Sequence, residues 1–385
     1  MYAAKRPLWR PFILVLLAAS VVLVACGGGI TNTNWPGLSA SGSRVYVAFG
    51  PGVYAVDVVQ QELVWSFPEA FETAVQFYAA PSVLDGRVLI GDYGRPGGMF
   101  SPNPTVTLYG LQDDAAGVPP ILWSSSTLAN DRIIAPPHQS GDEGYFGTAD
   151  NELIAVDATT GAELWRFATG HSIWGEPLYH DGIVYVASLD KSVYALQADT
   201  GQMVWQAELP GAVASQPVID GDSVFVSSFD HKLHALELGT GRELWAYSAQ
   251  NLVWSAPAVG DGLVFFGDID GNIYAVTVNG ELQWQASASY LIQSAPVYQD
   301  GVLYVASGQV TTEAEDGVLR GELLALKGVD GSEVWRTPTP APIFTAPVIV
   351  EDMIVVAPLA YSSLLIVYDM ATGAQGFEFT PPAQE

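Results

Sequence analysis

The chain predicts an all-β fold, an eight-bladed β-propeller with four antiparallel strands per blade. Three observations point there. A unit of about 40 residues returns along most of the chain. Each unit breaks into short Val, Ile and Tyr runs between Asp-Gly-like turns. Each unit also closes on a tryptophan at a set distance from a Thr-Gly pair.

The clearest copy runs from Trp174 to Trp205, with others at Ile133–Trp165, Ala214–Trp245, Trp254–Trp284 and Gln293–Trp335. Its apolar runs are Ile183–Ala187, Val193–Leu196 and Met203–Gln206. The breaks fall at Asp181-Gly182, Asp190-Lys191 and Thr200-Gly201, which are tight-turn signals. A further strand fits Pro177–His180, where a proline at the start removes one ladder donor only. The middle runs are apolar on both faces, so the sheet must be covered on both sides. Units stacked around an axis provide that cover, and no single unit could stand alone.

The sharpest spacing is Ala195-x-Gln197-x-x-Thr200-Gly201-x-x-x-Trp205. It recurs with Ala155, Asp157, Thr160, Gly161 and Trp165, and with Ala235, Glu237, Thr240, Gly241 and Trp245. This resembles the tryptophan-docking motif of the PQQ-type (quinoprotein-like) β-propellers, which include quinoprotein dehydrogenases and BamB-type envelope lipoproteins. The resemblance implies that each indole locks one blade to its neighbour. A large ring buries much apolar area, and glycine lets it come close to the backbone. The closing positions are Trp65, Trp123, Trp165, Trp205, Trp245, Trp284 and Trp335, with Phe377 standing in for the eighth. The last copy keeps Val367, Asp369, Thr372 and Gly373, whereas the first lacks the Thr-Gly pair. Terminal units are commonly atypical. Eight blades are expected, or seven if the first copy only completes the last.

The N-terminus reads as a separate segment. Lys5, Arg6 and Arg10 precede the apolar run Phe12–Ala25, which is short for a membrane span and suits a signal peptide. The run ends Leu23-Val24-Ala25-Cys26-Gly27, which resembles a bacterial lipobox. Cys26 is the single cysteine and is expected to carry lipid after cleavage. The division is then signal peptide 1–25, flexible tether 26–34 and propeller 35–380. The expected location is the envelope, lipid-anchored outside the cytoplasmic membrane or in the outer membrane.

With 41 acidic against 14 basic residues, the formal charge is −27. Such a surface repels nucleic acid and anionic headgroups. One cysteine permits no disulfide within the chain.

Two units hold insertions, one within Tyr93–Pro120 and one at Gly308–Gly321. The first assigns Thr105–Gln112 to a strand and leaves a loop near Tyr93–Pro104, tipped by Met99 and Phe100. Both sit between the second and third strands, so both should emerge on one face. They serve either recognition or surface decoration. The residues three ahead of the repeat prolines are Tyr78, Ile133, Trp174, Ala214, Trp254, Gln293 and Phe344. Their aromatic members could form a binding mouth on the channel or simply plug it.

The stretch Asp268-Ile269-Asp270-Gly271-Asn272 fails the calcium-loop pattern, because Ile273 stands where glycine is needed. His231 and His234 fall on a turn and a strand, without metal spacing. No metal, no cofactor and no catalytic residue is expected. The resembling dehydrogenases pair PQQ with calcium and often use adjacent cysteines, which this chain lacks. The resemblance therefore implies a non-catalytic envelope scaffold, with an envelope protein or exported polypeptide as partner. A surface carbohydrate- or peptide-binding lipoprotein is the alternative, and a PQQ-dependent dehydrogenase the third reading.

Overall fold

A computed structural model describes residues 35–95, 104–113, 116–309, 319–359 and 361–382. The signal segment, the tether with Cys26, and the loop tips Met99 and Phe100 lie outside the described residues. The blades begin at Gly37, Ser82, His138, Leu178, Val218, Ala258, Val297 and Val348. Each is a four-stranded antiparallel sheet built from consecutive strands. First strands of neighbouring blades approach one another around the inside, blade 8 against blade 1 included. Blade 1, Gly37–Phe67, is complete in itself, so the ring has eight blades and the seven-blade alternative is set aside.

Blade 4 shows why the repeat folds this way. Its strands are Leu178–His180, Ile183–Ala187, Ser192–Gln197 and Met203–Glu208. Asp181 and Gly182 both adopt positive φ, which the tight first hairpin demands. The middle strands are buried on both faces because neighbouring blades cover them. The apolar side chains collect in eight clusters, one at each blade–blade interface.

A β-bulge interrupts the third and fourth strands just ahead of the closing ring in every blade. The extra residue turns the ring toward the next blade. In blades 2 to 7 the indole N–H then donates to a backbone carbonyl there. Trp165 reaches Ala198 at 2.6 Å, Trp205 reaches Leu238 at 3.0 Å and Trp284 reaches Gly328 at 2.7 Å. The ring lies on the turn glycine of the acceptor blade. A Cβ at Gly201 would stand 2.5 Å from Trp165, and one at Gly241 2.5 Å from Trp205. Both glycines also have φ near +70°, so their conformation and the contact exclude a side chain together.

Blade 2 lacks that turn, and its seam with blade 1 is built differently. The Trp65 N–H donates to the Asp113 carboxylate at 2.6 Å, which also accepts from the Tyr46 hydroxyl at 2.5 Å. Arg44 takes the Asp113 carbonyl at 2.7 Å.

The closing seam departs again. Phe377 has no N–H to donate, and Gln61 occupies the glycine position with φ of 58°. An apolar cluster joins the two blades, and the Thr345 hydroxyl donates to the Pro36 carbonyl.

The first insertion begins and ends differently from the sequence expectation. The third strand of blade 2 is Leu108–Gln112 only, and Thr105 instead pairs with Arg95 at the loop's base. Thr105 is held there by its own N–H bond to the Arg95 carbonyl. The second insertion is shorter than Gly308–Gly321, because strands Val302–Gln309 and Arg320–Lys327 extend into it.

Two stability outcomes are expected. Trp205→Ala removes a buried ring and an inter-blade hydrogen bond, so denaturant unfolding should show a loss of about 3–5 kcal/mol. At the closing seam, Gln61→Gly with Phe377→Trp should stabilise by more than the two single changes together. A double-mutant cycle should give a coupling of about 0.5–3 kcal/mol, and additive effects would refute the assignment of these two residues to one contact.

Candidate functional site

One end of the ring gathers the connectors between blades and the hairpins between second and third strands. Backbone bonds tie them together. Leu189 N–H donates to the Ser172 carbonyl at 3.0 Å, and Phe229 N–H to the Ala212 carbonyl at 2.9 Å. The same bond recurs from Ile269 to Leu252 at 3.1 Å.

Carboxylates stiffen these hairpins. The Tyr194 hydroxyl donates to Asp190 at 2.6 Å, and Tyr274 donates to Asp268 at 2.9 Å. Burial, together with the Asp190 carboxylate, pushes the Tyr194 hydroxyl up to about 12, so it stays a donor at any physiological pH. In blade 5 His234 takes the tyrosine's place. It is buried, with Nε2 3.1 Å from Asp230 and Nδ1 2.9 Å from Glu243. Asp268 also accepts from the backbone of Asp270 and Asn272, so the aspartates of that stretch hold a turn.

The bases of both insertions are pinned in the same way. Asp92 is buried and accepts from the backbone of Gly94 and Thr107 at 2.9 and 3.0 Å. Its burial raises its pKa against the pull of those bonds. Glu322, also buried, accepts from Arg336 at 2.9 Å and from the Ser289 hydroxyl at 2.8 Å. The roots of both insertions belong to second-to-third-strand hairpins, of blades 2 and 7, and so lie on this end.

Five aromatic side chains meet there. Trp254, entering blade 6, lies 5.0 Å from Phe229 of blade 5 and 6.4 Å from Trp174, entering blade 4. Its other side meets Trp35 at 6.2 Å, near edge-on. Trp35, entering blade 1, lies 5.7 Å from Phe344, entering blade 8. The chain of rings thus runs from blade 4 to blade 8. Trp174 and Trp254 are half-buried, Phe344 is buried and Trp35 is 38% exposed.

Three of the aromatics expected at the mouth, Trp174, Trp254 and Phe344, therefore come together. Tyr78 stands apart. It meets Tyr93 edge-on at 5.0 Å, and the Arg132 guanidinium lies over the Tyr93 ring at 5.1 Å. Ile133 does not belong to the mouth. It is fully buried in the core, because Pro137 and not Pro136 precedes the first strand of blade 3. Trp174 and Trp254 stand in the connectors, four residues or so ahead of the first strands and not on them.

Trp35 and Phe229 were not legible as mouth residues. Trp35 stands four residues ahead of Ser39, as Trp174 does of Leu178, but Leu38 replaces the repeat proline, and Phe229 sits where other hairpins carry Ala149, Leu189 and Ile269. Only the first of these carries a signal, an isolated Trp-Pro after a Gly/Asn/Thr-rich stretch.

Polar groups line the neighbouring wall, where His138 Nδ1 stands 2.9 Å from the Glu176 carboxylate. Among the described residues, no three His, Cys, Asp or Glu side chains converge to hold a metal. What the mouth offers is flat apolar ring surface beside hydrogen-bonding groups, which suits recognition.

Comparison with known proteins agrees on the fold. A crystal structure of BamB from Moraxella catarrhalis superposes with a TM-score of 0.68 at 16% identity, covering 86% of this chain and 94% of that one. The computationally designed Ika8 protein gives 0.69 at 15% identity, over 88% and 98%. A quinohemoprotein alcohol dehydrogenase from Pseudomonas putida HK5 gives 0.63 at 15% identity, over 83% and 68%. No curated protein sequence matches the chain. The family model described as outer membrane protein assembly factor BamB matches residues 120–216, 149–289, 189–317 and 270–383, and the chain belongs to that family.

Proposed function

We propose that this chain is a non-catalytic scaffold of the cell envelope, lipid-anchored through Cys26, that holds a protein partner on the aromatic end of the ring. The carrying observation is the row of rings Trp174, Trp254, Trp35 and Phe344, with Phe229, on the end that carries the inter-blade connectors. Rigid, half-exposed indoles give binding area at low entropy cost, and flanking loops give specificity. Family membership supports an outer-membrane-associated site of action and a partner from the barrel-assembly machinery or its unfolded substrates.

The dehydrogenase neighbours raise the question of a quinone cofactor with calcium. The mouth residues do not fit that group. Ring packs on ring from blade 4 to blade 8, and among the described residues no carboxylate set converges beside them.

Half-exposed Trp174 and Trp254 would also suit a sugar face, which makes carbohydrate the second reading.

Two experiments test this. Cys26→Ser should shift the protein from the membrane to the soluble fraction and abolish labelling by radioactive palmitate; labelling that survives would refute the anchor. Pull-down from detergent-solubilised envelope should recover barrel-assembly components, with recovery falling about tenfold or more for Trp174→Ala with Trp254→Ala. Retention on a polysaccharide column with no protein recovered would favour the carbohydrate reading. A spectral change and dye reduction on adding PQQ with calcium would overturn the non-catalytic one.

A further inference from the structure

The outer rim of the ring carries a second surface. The fourth strand of each blade ends its sheet. On blade 1 that outer edge is already taken by this chain itself. Gly117, from the turn before the last strand of blade 2, pairs in parallel with Trp65. The Gly117 N–H donates to the Val64 carbonyl at 2.9 Å, and the Ser66 N–H donates to the Gly117 carbonyl at 3.1 Å.

Blade 4 presents the same groups in the same register. Tyr54 faces Ser66 and Ala55 faces Trp65, as Tyr194 faces Gln206 and Ala195 faces Trp205. The Val204 carbonyl and Gln206 N–H therefore point outward like those of Val64 and Ser66. Among the described residues no strand lies beyond them. An edge of this kind is a template for another chain.

Blade 4 differs from blade 1 in what lies beside the edge. Met203 and Val204 are 53% and 46% exposed. Val204 borders a groove of about 610 Å³ between blades 4 and 5, floored by Tyr185, Trp205 and Leu238. Asp222 and Glu237 stand at its rim. Arg242 meets Glu237 at 3.3 Å from the solvent side. The Thr240 hydroxyl, with Arg242, holds Glu237 below the usual carboxylate range, so the rim stays anionic at neutral pH.

We infer that the outer edge of blade 4 and the adjoining groove accept an extended, cationic polypeptide segment as an added strand, with alternate apolar side chains entering the groove. Three observations carry this. The chain's own Gly117 demonstrates the pairing. The groove and the exposed Met203 and Val204 supply the apolar seat. The rim carboxylates, within a chain of net charge −27, select basic residues. That charge also opposes a second copy of this chain as the occupant. Main-chain bonds give such a complex its affinity, and the side chains on one face give its specificity. The inference sharpens the protein-docking reading above and moves part of the docking from the aromatic end to the rim.

The test uses the detergent-solubilised mature protein and a short fluorescent peptide alternating valine and lysine. Saturable binding is expected, weakened about tenfold or more by Val204→Glu, a change of about 1.4 kcal/mol or more. The same loss is expected on the wild-type protein when the peptide is N-methylated along its pairing edge, which needs no variant to fold. Equal binding of a valine–glutamate peptide, an unaffected N-methylated peptide or no saturable binding would each overturn the inference. So would self-association that Val204→Glu abolishes, since it would make a second copy the occupant. Binding lost in Trp254→Ala yet kept in Val204→Glu would overturn the rim site and leave docking at the aromatic end standing.

Discussion

The ring depends on one contact, an indole lying on the glycine turn of the next blade with its N–H on a backbone carbonyl. No blade has a core of its own. The apolar clusters form only where two blades meet, so stability is a property of interfaces, as in other repeat assemblies. The contact needs three things at once: a bulge to aim the ring, a residue without a side chain to receive it, and a carbonyl left free by the turn. Where one is missing, the chain substitutes. Asp113 replaces the turn carbonyl for Trp65, and Arg44 and Tyr46 neutralise and fix that carboxylate. Where Gln61 replaces the glycine and the Phe377 ring has no N–H, the seam relies on apolar packing and the Thr345–Pro36 bond.

Much of this was legible in the chain. The Thr-Gly and tryptophan spacing encodes a local event, a turn followed by a bulged strand, and local events repeat visibly. The predicted run Ile183–Ala187 is the second strand of blade 4 residue for residue. The aromatic end was only partly legible. Trp174 and Trp254 occupy a repeat position, and Trp35 takes the same one in blade 1 without the proline that marks it, whereas Phe229 belongs to another element of the blade. Contacts between blades set by ring size leave no period in the sequence. The misplacement of Ile133 has a simple origin: Pro136-Pro137 offers two registers, and only burial chooses between them. The pairing of Gly117 with Trp65 had no sequence signal, since an exposed glycine after an acidic turn looks like any loop.

The two ends of the ring carry different chemistry. One end holds the carboxylate-braced hairpins, the roots of the insertions and the aromatic row. The other end holds the glycine turns, where Thr160 and its backbone keep Asp157 ionised below the usual range. Bracing by buried carboxylates makes the hairpin end a rigid frame, so binding there costs little ordering of the scaffold itself. His234 shows how tolerant the frame is: an imidazole held between Asp230 and Glu243 does the work of a tyrosine hydroxyl.

Among the described residues, every blade is cut from one uninterrupted stretch of chain, with no strand lent across the join between blades 8 and 1. Propellers that borrow a strand to close must keep both ends of the gene in step. This architecture carries no such debt. A duplication or deletion of one whole repeat leaves no orphaned strand behind, and new termini could be opened at any connector without dividing a sheet.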